Sequence, residues 1–189
     1  MIKKRQIKQS IAKFYSIFNK NNHSRIIYYH DVHINNKNSY YGYSTPESIF
    51  LMHIKTILDS GFEIVNCITK PFNQIMITFD DGYRGIIDIF DKLVKLDVPI
   101  KIFMITSQIG KNNFLSKDEI IELNKSEYFS FGAHSHSHIP LISCNPHQLK
   151  IELKKSKDIL SDTTYYKDYY PSYGHDSEQL LNDCYNYLI

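Results

Sequence analysis

Apolar positions recur along the chain in two alternating rhythms. Ile26–His30 is an apolar run that ends in polar residues, and it reads as a strand. Glu63–Asn66, Gln74–Phe79, Ile100–Thr106 and Tyr128–Ala133 read the same way, several of them rich in β-branched and aromatic residues. A further short strand is predicted near Tyr169–Tyr170. Between these runs the period lengthens to that of a helix. Phe50, Ile54, Ile57 and Leu58 form one stripe, with Ser44 and Glu47 at capping-box spacing before it and Gly61 placed to close it. Ile86, Ile87, Phe90, Leu93 and Val94 form a second stripe. Ser116 and Glu119 make a capping box for a short third helix, and Asn145–Pro146 is a good cap and first position for a fourth. A last helix is expected from about Ser177. Strand–helix alternation of this kind builds a parallel sheet with helices outside it, open or rolled into a barrel.

The first 25 residues differ from the rest. Ile7, Ile11, Phe14, Tyr15 and Phe18 fall on one helical stripe, and the opposite face is rich in lysine. Such a helix either packs on the domain with its lysines solvated or makes a peripheral contact with an anionic membrane surface. Lys13 and Lys20 interrupt any hydrophobic core of a secretory signal, so the chain reads as cytoplasmic or peripheral at the inner membrane face. The organisation expected is therefore a basic amphipathic helix over residues 1–25 and one domain over 26–189.

Composition narrows the function classes. A chain of 189 residues with 42% hydrophobic and 22% charged residues suits one ordinary globular domain. The net charge of +2 hides seven positive charges before residue 26, which leaves 15 basic against 20 acidic residues in the remainder. A net-acidic body argues against nucleic acid as the partner, because phosphate binding needs a broad positive surface. Three cysteines without CxxC spacing argue against a disulfide scaffold or a thiolate zinc site.

Functional residues of α/β sheets and barrels gather at the C-terminal ends of the strands. Three polar clusters fall there: His30-Asp31, Asp80-Asp81-Gly82 and His134-Ser135-His136-Ser137-His138. Adjacent carboxylates resist joint ionisation when buried, and a cation bound by one of them removes the conflict while the other stays free as a base. A solvated Asp-Asp-Gly turn uses the same residues without any cation. Neutral imidazoles suit zinc, nickel, cobalt or iron(II), and two histidines with one carboxylate leave positions open for water and substrate. His134 and His138 can turn back to one point, which leaves His136 for solvent or a supporting partner.

Thr78-Phe79-Asp80-Asp81-Gly82 resembles the first motif of the polysaccharide deacetylases, the NodB-homology family of carbohydrate esterases. His134-Ser135-x-x-His138 resembles the second, in the same order and at a similar separation. Tyr28-Tyr29-His30-Asp31-Val32 is similar to an early Tyr-His motif of the poly-N-acetylglucosamine deacetylase subgroup, whose motif order is rearranged. Tyr170-Pro171-Ser172-Tyr173-Gly174 is similar to the third motif, with one extra residue.

The resemblance implies a distorted, incomplete or open (β/α) barrel of about six or seven strands. It implies a metal-dependent hydrolase acting on an acetylated polysaccharide or oligosaccharide, with Asp80 as base and His30 as acid. Asp81, His134 and His138 would hold a divalent metal ion, zinc first, with nickel, cobalt or iron as alternatives. Tyr173, Tyr83 and Arg84 are the implied substrate contacts. The rings of Tyr40, Tyr41, Tyr43, Tyr165, Tyr166, Tyr169 and Tyr170 could stack on sugar faces or sit at the rim of the core. Two departures stand out. The arginine of the third motif is replaced by Tyr169, and the later motifs find no counterpart before Ile189. An O-acetyl esterase, or a saccharide-binding relative that keeps the metal site without turnover, fits the same residues.

Overall fold

The computed structural model describes residues 22–34, 43–162 and 168–169. In chain order the strands are β1 (Arg25–Tyr29), β2 (Asp31–His33), β3 (Ser44–Pro46), β4 (Glu63–Ile64), β5 (Gln74–Phe79), β6 (Ile100–Met104), β7 (Phe129–Ala133) and β8 (Asp168–Tyr169). The α-helices are α1 (Glu47–Asp59), α2 (Phe90–Lys95), α3 (Lys117–Asn124) and α4 (Pro146–Ser161). The predicted N-terminal helix with its stripe from Ile7 to Phe18, and the predicted C-terminal helix from Ser177, lie outside the described residues. So do Tyr40, Tyr41, Tyr165, Tyr166, Tyr170 and Tyr173.

Six strands form one parallel sheet in the order β1-β5-β6-β7-β8, with β4 also on β5. Ile75 pairs with both Arg25 and Ile64, so β1 and β4 flank β5 on opposite edges. Phe79 pairs with both Tyr29 and Ile102, so β6 takes over the edge that β4 begins. Every residue of β5 and β6 is buried, as expected for central parallel strands covered on both faces. Among the described residues β1 and β8 are the free edges of the sheet, so the predicted barrel takes an open form here. His23 bridges Phe72 and Arg25 opens β1.

Apolar faces of α1 and α3 close one side of the sheet. Phe50, Ile54 and Ile57 of α1, and Ile120 and Leu123 of α3, join Ile75, Ile77, Ile100 and Ile102 in a single core. Each such side chain contributes about 1.5–3 kcal/mol when fully buried. Tyr29, Phe50 and Phe79 form an aromatic trio with centroids 4.9–5.5 Å apart, and Tyr29 and Phe79 directly precede His30 and Asp80 in the chain. Such pairs add about 0.5–1.5 kcal/mol beyond their area. The trio therefore fixes the ends of β1 and β5, where the polar clusters begin.

The starts of α3 and α4 and the end of α1 follow local chemistry, whereas α1 and α2 start without a side-chain cap. Ser116 accepts from the Glu119 amide while Glu119 accepts from the Ser116 amide, and Asn145 with Gln148 builds the same reciprocal cap on α4. Gly61, at φ 80°, closes α1 as its amide reaches Leu58 O and the Phe62 amide reaches Ile57 O. The capping box expected at Ser44 does not form. Ser44 is instead drawn into β3, which pairs with β2, and its hydroxyl bonds His33 Nδ1 at 2.8 Å. Helix α1 begins after Pro46 with no side-chain cap. The stripe from Ile86 to Val94 is also split, into a 3-10 coil over Arg84–Ile89 and then α2. That coil presses Gly85 onto β2, where an added Cβ would collide with Val32 O and Asp31 Oδ1.

Candidate active site

Strand pleating puts alternate residues on one face, so Ile26, Tyr28 and His30 share a side, as do Thr78 with Asp80 and Phe103 with Ile105. All of them line a cavity of about 800 Å³, together with Tyr43, Asp81, Tyr83, Gln108, Phe114, His134, Ser137 and His138. The three polar clusters legible in the sequence therefore converge on one space.

The chain turns sharply after β5. Asp80 donates its amide to Tyr29 O at 2.8 Å, and Asp81 then adopts φ 72° and Gly82 φ 81°. An added Cβ at Gly82 would press on the flexible end of the Met104 side chain, and the φ of 81° is what calls for glycine at this turn. After β7 the backbone is equally contorted, with Ser135 at φ 63° and His138 at φ 60°. Non-glycine residues in this region cost about 1–3 kcal/mol each and persist where the surroundings hold them. The surroundings here do. His134 N bonds Met104 O at 2.8 Å, Ser135 O accepts Thr106 N at 3.2 Å, and His136 O accepts Ser107 N at 2.9 Å. His138 N bonds Ser135 Oγ at 3.0 Å, and the amides of His136 and Ser137 both donate to Glu152 Oε2.

These turns bring one carboxylate and two imidazoles together. Asp81 Oδ1 lies 3.6 Å from His134 Nε2 and 3.4 Å from His138 Nε2, and the donor atoms of the three residues all fall within 4.8 Å of one another. Bonds of about 2.0–2.1 Å to zinc would set neighbouring tetrahedral ligands about 3.4 Å apart. The spacing thus matches the edge of a coordination shell and is long for a direct hydrogen bond. Asp81 is only 8% exposed and His134 6%. Among the described residues, Asp80 Oδ1 and Asp81 Oδ1 are buried and accept no hydrogen bond. Buried acceptors of this kind are costly unless paired or bound to a cation. The residues present therefore fit a divalent ion.

Electrostatics say the same. Burial pushes the Asp80 carboxyl up to about 7, with the neighbouring Asp81 charge adding to the rise. Burial also raises Asp81, against the pull of His138 and His30. Burial holds His138 down, Asp81 raises it in return, and His30 lowers it further. A bound cation would relieve the repulsion of this compact pair of acids. His30 sits at the cavity wall between two rings, with centroids 5.8 Å from Tyr28 and 5.5 Å from Tyr43.

Of the implied substrate contacts, Tyr83 lines the cavity and stacks on Phe114 at 4.7 Å and 23°. Arg84 is not among the residues lining it. Its Nε and Nη2 both reach Glu119 Oε1 at 2.6 Å, because Glu119 is held at the start of α3 by its capping box. Among the described residues, Tyr43 is the expected stacking tyrosine that lines the cavity, and it is 67% exposed. His136 turns away from the other two histidines and bonds Thr106 Oγ1 at 3.0 Å. Phe114 and Glu152 were not singled out by the sequence. A lone acid on the buried stripe of a helix is a signal that could have exposed Glu152, whereas Phe114 lies in a polar loop with no such mark.

Comparison with known proteins adds an independent line. A family model described as polysaccharide deacetylase matches residues 68–184. A polysaccharide deacetylase from Bacillus cereus is 25% identical, with a TM-score of 0.73, over 87% of this chain and 55% of that one. A de-N-acetylase from Aggregatibacter actinomycetemcomitans shares the fold at 14% identity and a TM-score of 0.74, over 87% of this chain and 84% of that one. IcaB from Ammonifex degensii does so at 18% identity and 0.73, over 88% and 81%. The chain thus spans 55% of the length of the Bacillus cereus protein it resembles. No curated protein matches it by sequence.

Proposed function

Because the chain belongs to the polysaccharide deacetylase family, whose model covers residues 68–184, we propose that it is a cation-dependent hydrolase removing acetyl groups from N-acetylated saccharides. Polymers or oligomers of N-acetylglucosamine type are the proposed substrates. The observation that carries this reading is the convergence of Asp81, His134 and His138 beside a spare buried carboxylate, Asp80, and a histidine from a third strand end, His30.

In this reading Asp81, His134 and His138 hold the ion, and zinc is the proposed identity. A divalent ion held there would supply a water of lowered pKa and polarisation of an acetyl carbonyl. Asp80 lies next to the ligand Asp81 without a hydrogen-bond partner of its own on Oδ1, so it is free to take the proton of the attacking water. His30, on the cavity wall, gives a proton to the departing nitrogen. That transfer is essential for an amide, since an amine anion is too poor a leaving group to depart unaided. The products are acetate and a free amino sugar.

Substrate class rests on the walls of the cavity. Its volume of about 800 Å³ falls in the usual range of roughly 300–1,000 Å³ for small-molecule sites. Tyr28 and Tyr43 on one side, and the stacked Tyr83 and Phe114 among the other lining residues, offer aromatic faces to the apolar faces of a sugar.

Acetate release from N-acetylglucosamine oligomers, measured for wild type and Asp80→Asn with zinc supplied, tests the proposal. Turnover by wild type and a loss of 10²-fold or more in Asp80→Asn are expected, in line with the usual contribution of a general base. Zinc-loaded wild type that releases acetate from no acetylated sugar would overturn it. Faster release from O-acetyl than from N-acetyl sugars would shift the activity to an esterase.

A further inference from the structure

Helix α4 buries the stripe Leu149, Glu152, Leu153, Ser156 and Leu160, and one member does not belong there on grounds of hydrophobicity. Glu152 is 5% exposed. Acids are almost never buried to this degree without a specific partner. The partners are two consecutive backbone amides. His136 N reaches Glu152 Oε2 at 2.9 Å and Ser137 N reaches the same oxygen at 2.7 Å. Successive amides directed at one anion are a recurrent way of fixing an irregular turn. The turn in question is the stretch between His134 and His138.

From these contacts we infer that Glu152 is the positioning residue of the cation site, clamping the histidine loop so that His138 meets Asp81. The inference rests on the reading of Asp81, His134 and His138 as a cation site.

The loop is gripped from two sides. On one side the continuation of β6 takes the His134 amide and the carbonyls of Ser135 and His136. On the other side stands Glu152, which alone takes the amides of residues 136 and 137. His134 directly follows β7 and is fixed by Met104 O whatever happens at α4. His138 directly follows the clamped Ser137, in left-handed backbone, with the Ser135 hydroxyl on its amide. Loss of Glu152 therefore releases His138 and spares His134.

The test is zinc affinity of the full chain by titration calorimetry, together with the absorption spectrum of the cobalt(II) form, for wild type, Glu152→Ala, Glu152→Gln and Glu152→Asp. Ser156→Ala is the control, since Ser156 is buried on the same stripe but bonds only Leu153 O among the contacts named here. Glu152→Ala is expected to weaken zinc binding 10–100-fold, the usual effect of removing a group that orients a metal ligand. Glu152→Gln keeps an acceptor at the same reach and should recover most of the loss. Glu152→Asp, shorter by one methylene, should not, and it serves in place of alanine if that variant fails to fold. Ser156→Ala should bind zinc like wild type.

A double-mutant cycle locates the effect. Glu152→Ala should cost little more in a His138→Ala background, yet keep its full effect in a His134→Ala background. Folded Glu152→Ala or Glu152→Asp protein with wild-type zinc affinity and cobalt spectrum would overturn the inference. Equal effects in both histidine backgrounds would also overturn it. Wild type that binds neither ion would instead remove the cation site itself.

Discussion

Gly85→Ala offers a sharp test of how the two arms of the site are held together. Gly85 is the second residue of the coil that follows the Asp80-Asp81 turn, and it packs on β2, which follows His30. Its backbone is not in the left-handed region, so alanine is allowed there by conformation alone. The penalty is steric. An added Cβ would overlap Val32 O and Asp31 Oδ1 and stand 3.0 Å from Val32 C. A backbone carbonyl cannot swing aside, so the coil must retreat from β2. Overpacking of this kind costs about 1–3 kcal/mol. Retreat also stretches the bond from Gly85 N to the buried Asp31 carboxylate, now 3.1 Å, and losing it costs about 1.5–3 kcal/mol. The stiffer unfolded chain returns about 0.4–1 kcal/mol. The net loss expected is about 2–5 kcal/mol, or roughly 4–20 °C in Tm for a chain of this size. Thermal unfolding of metal-free wild type and variant, followed by circular dichroism, measures it. Gly61→Ala is the comparison, because nothing lies within 4 Å of its added Cβ and only its φ of 80° is strained, a cost of about 1–2 kcal/mol. A Gly85→Ala variant as stable as wild type, or no worse than Gly61→Ala, would refute the packing described for β2 and the coil.

Two further predictions address neighbouring groups. Burial raises the Asp31 carboxyl above its ordinary 3.8 despite bonds from Ser44, Val32 and Gly85. The folded chain therefore holds this proton more tightly than the unfolded chain, and the Asp31 contribution to stability falls as pH rises above about 4. Asp31→Asn should accordingly be more stable relative to wild type at pH 7 than at pH 3.5 in urea unfolding, and a pH-independent difference would contradict the assignment. For His30, alanine substitution should lower kcat on N-acetyl sugars far more than on O-acetyl sugars, because an alkoxide leaves more easily than an amine anion. Equal losses on both substrates, measured by acetate release, would remove His30 as the acid.

Much of the architecture is legible in the chain because local and global demands agree. The runs of β5 and β6 are apolar at nearly every position, and central parallel strands require this. Asp80-Asp81-Gly82 and the histidine cluster are legible as strand-end chemistry because each follows such a run directly. Failures occur where a distant partner outbids a local preference. Ser44 has the spacing of a cap, but His33 across the β2–β3 ribbon takes its hydroxyl. Arg84 stands beside the acids in sequence, but Glu119 holds it away from them. Phe114 reaches the cavity only because the segment around it pairs with the chain at Tyr83, a pairing that no periodicity records. The Ile86–Val94 stripe has the right apolar spacing, yet close docking on β2 tightens its first half into a 3-10 coil.

The proposed chemistry depends on one cation shared by Asp81, His134 and His138, with Asp80 left free beside it. Anomalous diffraction at the zinc edge, from crystals of the chain grown with zinc, locates that ion directly. The account predicts a single strong peak within about 2.0–2.2 Å of one Asp81 oxygen and one nitrogen from each imidazole. A peak held by other residues, or no peak between these three in a zinc-saturated crystal, would contradict it.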